Sequence, residues 1–156
     1  MIKNRTNKIV ERLKSLNKTV AAAESCTAGL AADLIARIPG ASQVLWGSYV
    51  CYTMAAKIKM LGVKEDTLKQ YGEVSRETAC EMAKGALEKS GSDYAFSITG
   101  IAGPGSMSGI AAGTVWIAVA LKDKNTEAAL FRFKGSRNSI RYKAAVKALD
   151  EIYKKI

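Results

Sequence analysis

Short apolar runs alternate with segments of helical period along this chain of 156 residues, and that alternation narrows the fold more than any other feature. Ile9, Val10, Leu13 and Leu16 fall at helical spacing, and residues 19–23 form a small-residue run that reads as a tightly flanked strand. Residues 27–38, rich in Ala and Leu, predict a helix with Leu30, Leu34 and Ile38 on one face, stopped by Pro39-Gly40. Residues 44–52 predict a second strand and residues 55–71 short helical pieces. A longer helix is expected over residues 75–90, with Ser75 as N-cap, Glu77 in the first turn and Gly91 as stop. Strands are predicted at residues 94–99, 114–121 and 127–134, and a final helix from Ser136 with Ile140, Ala144, Leu149 and Ile152 inward. The order implies a three-layer α/β/α sandwich on a mixed, mostly parallel sheet with one hairpin. At this length residues 1–156 are expected to form a single domain.

Composition excludes several chemistries. The chain has no histidine, so Ser-His and Cys-His catalysis, His-based zinc sites and histidine pH switches are out of reach. Cys26, Cys51 and Cys80 are odd in number and hold no C-x-x-C pair; a reduced, cytoplasmic setting is expected. The basic N-terminus leads into polar residues rather than an apolar leader core, and the longest apolar run, residues 115–121, is too short to cross a bilayer. Neither secretion nor membrane insertion is expected. The net charge of +10 is concentrated at the two ends, with 6 Lys/Arg against 1 acid in residues 1–19 and 10 against 4 in residues 122–156. No dense basic block with interleaved aromatics occurs, so a solvated surface that attracts small phosphorylated anions is favoured over nucleic acid.

Chemistry can reside in three places. Ser25 follows a predicted strand at the start of a predicted helix, where the N–H groups of Cys26 and Thr27 could hold an oxyanion or phosphate. On position alone Ser25 is either a nucleophile or a helix cap, and Cys26 reads as a buried small hydrophobe. The stretch from Gly100 to Gly113 holds five of the 13 glycines; it is either a ligand loop or a long turn, and lacks both the P-loop ending and the helix of a dinucleotide fingerprint. Without imidazole, a serine nucleophile needs another base, such as a lysine kept neutral by desolvation. Lys57, near the end of the second strand, is the candidate, although its spacing alone favours a surface lysine.

Taken together, Ala23-Glu24-Ser25-Cys26-Thr27-Ala28-Gly29, residues 52–57 with Leu61-Gly62-Val63, Gly72-Glu73-Val74-Ser75, Thr99-Gly100-Ile101-Ala102-Gly103-Pro104 and Gly135-Ser136-Arg137 with Arg141 resemble the CinA C-terminal domain family, the nicotinamide-nucleotide amidases. The resemblance covers nearly the whole chain. It implies a three-layer α/β/α domain that deamidates nicotinamide mononucleotide to nicotinic acid mononucleotide and ammonia, a hydrolase of pyridine nucleotide salvage in NAD metabolism. It also implies Ser25 as nucleophile assisted by Tyr52 and Lys57, with Cys26, Thr27, Thr99, Gly100, Ala102, Gly103, Arg137 and Arg141 at the substrate. Neither metal nor cofactor is implied. The expected partners are a small-molecule nucleotide and further copies of the chain, a homo-oligomer.

The sequence departs from the family pattern at particular positions. Ala28 stands where a glycine is usual, Met54 where an amide is usual, Gly109-Ile110-Ala111-Ala112 in place of E-K-P-V, and Ser136 where an aspartate is usual. A stand-alone amidase-type chain is expected, without the large N-terminal nucleotide-processing domain of many members. Met54 and the lost E-K-P-V segment favour a second reading, a non-catalytic relative that binds a nucleotide or nucleic acid.

Overall fold

A computed structural model describes residues 2–156. Within them six α-helices surround a five-stranded mixed sheet, as the alternation predicts. The elements are α1 (Ile2–Ser15), β1 (Val20–Glu24), α2 (Leu30–Ala36), β2 (Leu45–Val50), α3 (Met54–Leu61), α4 (Glu65–Tyr71), α5 (Arg76–Ser90), β3 (Tyr94–Gly100), β4 (Ser106–Met107), β5 (Ile110–Ala111), β6 (Thr114–Leu121), β7 (Glu127–Arg132) and α6 (Arg137–Tyr153). The sheet order is β2-β1-β3-β6-β7. β1 pairs in parallel with β2 and β3, while β6 runs antiparallel to both β3 and β7. Four of the five strands therefore point the same way.

The chain steps from β1 to β2 in one direction, then passes back over β1 to β3 in the other. Parallel crossovers are right-handed, so the two connections must lie on opposite faces. Accordingly α1, α2 and α6 cover one face, and α3, α4 and α5 the other. Loops leaving the carboxyl ends of β1 and β2 thus diverge, which opens a crevice at that edge.

The two faces differ in side-chain size. Val20, Ala22, Phe96, Ile98, Val115, Ile117 and Val119 point toward Ile9, Val10 and Leu13 of α1, Leu34 and Ile35 of α2, and Ile140, Leu149 and Ile152 of α6. Their alternate neighbours, Ala21, Ala23, Ala95, Ala118 and Ala120, face Ala79, Met82, Ala83 and Ala86 of α5. Small residues on both sides let α5 lie close to the sheet, where Ser97 donates a hydrogen bond to the Ala79 carbonyl at 2.6 Å. Ser75 caps α5 by accepting from the Thr78 N–H, and Gly91 ends the helix in the left-handed conformation, both as expected.

Three local expectations change. Leu16 lies beyond the end of α1 and is 39% exposed, because the helix stops at Ser15 before its face returns inward. The helix predicted from residue 27 begins at Leu30, after a turn closed by an Ala28 N–H bond to the Ser25 carbonyl. The glycine-rich stretch is not plain turn: Ser106–Met107 and Ile110–Ala111 pair as a small hairpin, β4 with β5. Its period-2 signal spans too few residues to register in the sequence.

Candidate active site

Adjacent residues of a strand point to opposite faces, and at the end of β1 this separates two functions. Glu24, fully buried, turns toward α2, where its carboxylate accepts from the N–H groups of Gly29, Ala31 and Ala32 at 3.0–3.1 Å and from the Ser48 hydroxyl at 3.1 Å. It does for α2 what its N-cap residue, Gly29, has no side chain to do. Ser25 turns the other way, toward α3.

α3 begins at Thr53, whose hydroxyl accepts from the Ala56 N–H at 3.2 Å, and it buries the i, i+4 pair Lys57 and Leu61. Lys57 is 0% exposed, the bulkiest of the fully buried side chains among the described residues. Its Nζ stands 3.0 Å from Ser25 Oγ, 3.3 Å from the Cys51 carbonyl and 3.4 Å from the Tyr52 carbonyl. A Glu73 carboxylate oxygen lies 3.6 Å away. Lys57 Nζ donates to Ser25 Oγ and to both carbonyls, which sets the amine nitrogen within proton-transfer distance of the hydroxyl.

Ser25 opens onto a cavity of about 420 Å3, lined also by Cys26, Tyr52, Met54, Glu73, Thr99, Gly100, Ala102, Gly103 and Arg137, among others. Eight of the eleven residues anticipated from sequence therefore line the cavity, and Lys57, Thr27 and Arg141 do not. Lys57 lies behind Ser25 rather than in the cavity wall. Tyr52 meets Ser25 and Lys57 through its carbonyl, while its phenol accepts from Arg137 Nη2 at 2.8 Å. Arg137 Nη1 donates to the Gly103 carbonyl at 2.5 Å, so one guanidinium ties the Tyr52 ring to the glycine-rich loop. Thr99 donates to the Glu73 carbonyl at 2.7 Å. Thr27, fully buried, and Arg141 are not part of the wall. Arg141 instead donates to the Cys26 and Thr27 carbonyls at 2.9 and 3.0 Å and so clamps the turn that carries Ser25.

Two acids were not anticipated as functional. Glu24 is signalled only by a charge ending an apolar run, and Glu73 only by its place before the α5 cap. The thiols are poor rivals to Ser25. Burial pushes Cys26 up to about 11, against the smaller opposing effects of its own backbone N–H, Lys57 and Arg141. Burial likewise pushes Cys51 up to about 11. Both are neutral near pH 7 and therefore weak nucleophiles. Iodoacetamide at pH 8 should accordingly modify Cys80, which is only partly buried, well before Cys26 or Cys51; peptide mass mapping with early label on Cys26 would contradict this.

A three-layer α/β/α domain with a buried Ser–Lys pair at the carboxyl edge of its parallel strands is the class defined by this fold and site. The chain belongs to the CinA family: the CinA C-terminal domain model matches residues 2–156. It is 49% identical over 140 residues to a CinA-like protein of Endomicrobium trichonymphae, covering 89% of this chain and 32% of that protein. It is 42% identical over 147 residues to a CinA-like protein of Thermotoga maritima, covering 94% of this chain and 36% of that protein. The chain thus spans about one third of the length of the curated relatives it matches. Among solved structures it is similar to the competence/damage inducible protein CihA from Agrobacterium tumefaciens, with TM-score 0.94 and 37% identity over 98% of this chain and 94% of that one. A CinA superfamily protein from Escherichia coli matches with TM-score 0.95 and 32% identity over 100% of this chain and 91% of that one. Among the described residues no helix is long and apolar enough to cross a membrane.

Proposed function

We propose that this chain hydrolyses the carboxamide of nicotinamide mononucleotide to nicotinic acid mononucleotide and ammonia. The observation that carries this reading is the fully buried Lys57 with its Nζ 3.0 Å from Ser25 Oγ beside the cavity. A lysine is almost never fully buried without a partner that requires it, and a serine with an adjacent amine is an activated nucleophile.

In this mechanism Ser25 Oγ bonds to the carboxamide carbon as its proton passes to Lys57 Nζ and the carbonyl electron pair moves onto oxygen. The Cys26 N–H, in the turn closed by Ala28 at the cavity, holds that oxyanion. Collapse breaks the C–N bond, Lys57 returns its proton to the departing nitrogen, and ammonia leaves. Water then adds to the acyl carbon, giving its proton to Lys57, and the ester bond breaks to release the acid and restore Ser25. The cationic pyridinium withdraws electrons from the carboxamide and eases both additions. Thr99, Gly100, Ala102 and Gly103 shape the wall, and Arg137 at the cavity is suited to the phosphate. Tyr52 contributes by its carbonyl at Lys57 and its phenol at Arg137, and Arg141 by fixing the turn.

The test is product formation: ammonia and nicotinic acid mononucleotide should appear one for one from nicotinamide mononucleotide, and far more slowly from nicotinamide without the phosphate. Met54, 50% exposed on the cavity wall, favours the second reading of a binding relative without turnover. Steeply salt-dependent DNA binding with no ammonia released would establish that reading instead.

A further inference from the structure

Glu73 is the carboxylate paired with Lys57, and nothing in the mechanism above uses it. Glu24, the other acid at the end of β1, has its oxygens engaged by three backbone N–H groups at the start of α2 and by Ser48. The neighbouring thiols of Cys26 and Cys51 are neutral. Glu73 is held in place by its backbone: Thr99 donates to its carbonyl at 2.7 Å, and Ser75, two residues on, caps α5 while donating to the Gly72 carbonyl at 3.1 Å. Its side chain, 29% exposed, lines the cavity and reaches to within 3.6 Å of an amine that is 0% exposed.

We propose that Glu73 is a positioning residue that completes a Ser25–Lys57–Glu73 triad, stabilising the ammonium that Lys57 becomes when it takes the serine proton. This rests on the reading of Ser25 and Lys57 as nucleophile and base, but not on the identity of the amide. The physical need is clear: a proton arriving on a fully buried amine creates a charge that water cannot reach, and an adjacent carboxylate offsets it. Glu73 acts through Lys57 and takes no proton itself, as the acid of a Ser-His-Asp triad does.

The test reads Ser25 reactivity directly. Phenylmethanesulfonyl fluoride forms a bond from Ser25 Oγ to its sulfur and breaks the S–F bond, fluoride leaving and the serine proton passing to Lys57. The labelling rate is followed by intact mass, beside the kcat and KM of ammonia release. Glu73→Gln should slow both labelling and kcat by about 10- to 100-fold with KM nearly unchanged. Glu73→Ala should be equally slow, and added formate should restore several-fold of its rate while leaving Glu73→Gln unmoved. Glu73→Asp, the conservative variant, should recover part of the loss with the same melting temperature as wild type. Labelling at the wild-type rate in Glu73→Gln, a change confined to KM, or no formate recovery in Glu73→Ala would each overturn the proposal. A wild-type chain that labels at Ser25 but releases no ammonia from nicotinamide mononucleotide contradicts the substrate reading alone.

Discussion

Lys57→Met lowers ammonia release from nicotinamide mononucleotide by about 10²- to 10⁴-fold, the contribution of a positioned general base, and leaves the fold standing. The second half of that expectation distinguishes a catalytic lysine from a structural one. Methionine keeps the apolar stem packed beneath Ser25, and removing one member of an ion pair is costly chiefly where the other is left buried and uncompensated. Glu73, 29% exposed, can take up water when its partner is gone. The Cys51 and Tyr52 carbonyls each lose a donor, at about 1 kcal/mol apiece. Melting followed by circular dichroism should therefore shift by only a few degrees. A large loss of stability with turnover preserved in the surviving folded fraction would make Lys57 a packing residue.

Gly85→Ala should be among the most destabilising single changes available in this chain, although alanine is ordinarily the better helix residue by about 1 kcal/mol. Gly85 sits inside α5 where α3 crosses it, and an added Cβ would lie 2.0 Å from the Leu61 carbonyl oxygen and 3.1 Å from Leu61 Cβ. The obstruction is backbone, so no rotamer change relieves it and α3 must move outward. Overpacking of this kind costs about 3 kcal/mol, and for a chain of this size that lowers the melting temperature by about 6–12 °C. The displaced end of α3 lies one turn beyond Lys57, so the Lys57–Ser25 distance opens as well and kcat falls together with stability. Calorimetry showing an unchanged or raised melting temperature would mean that α3 does not rest on Gly85.

Much of this architecture was legible because it follows from period. Strands covered on both faces read as apolar runs, and the helices between them kept their i, i+3, i+4 spacing, so element order and the layered class emerged without tertiary information. The boundaries that failed did so where local pattern gives way to tertiary contact. The Ala and Leu content of residues 27–38 carries a helical signal from its first residue, but Arg141, distant in sequence, holds residues 26 and 27 in a turn instead. Ala28 takes a positive φ of 50° within that turn, a conformation that costs a non-glycine residue about 1–2 kcal/mol and that no propensity favours. Lys57 illustrates the same limit at the site. Its place in the sequence suits a surface lysine, and only the crossing of α3 over the end of β1 buries it. Glu24 and Glu73 escaped for a related reason: each is a single acid whose meaning depends on which N–H groups or amine the fold brings to it. Position and the absence of histidine single out Ser25 and Lys57, the resemblance to a family assigns their roles, and the geometry supplies a physical reason for pairing them.

The most direct measurement of the central claim is the rate of ammonia release from nicotinamide mononucleotide by Ser25→Ala beside the unaltered chain, with melting curves recorded on both. Removing one hydroxyl from the mouth of the cavity should abolish nearly all turnover, by about 10³-fold or more, while the two melting curves coincide. Turnover within tenfold of the unaltered chain would mean that the hydroxyl beside Lys57 is not the group that attacks the amide.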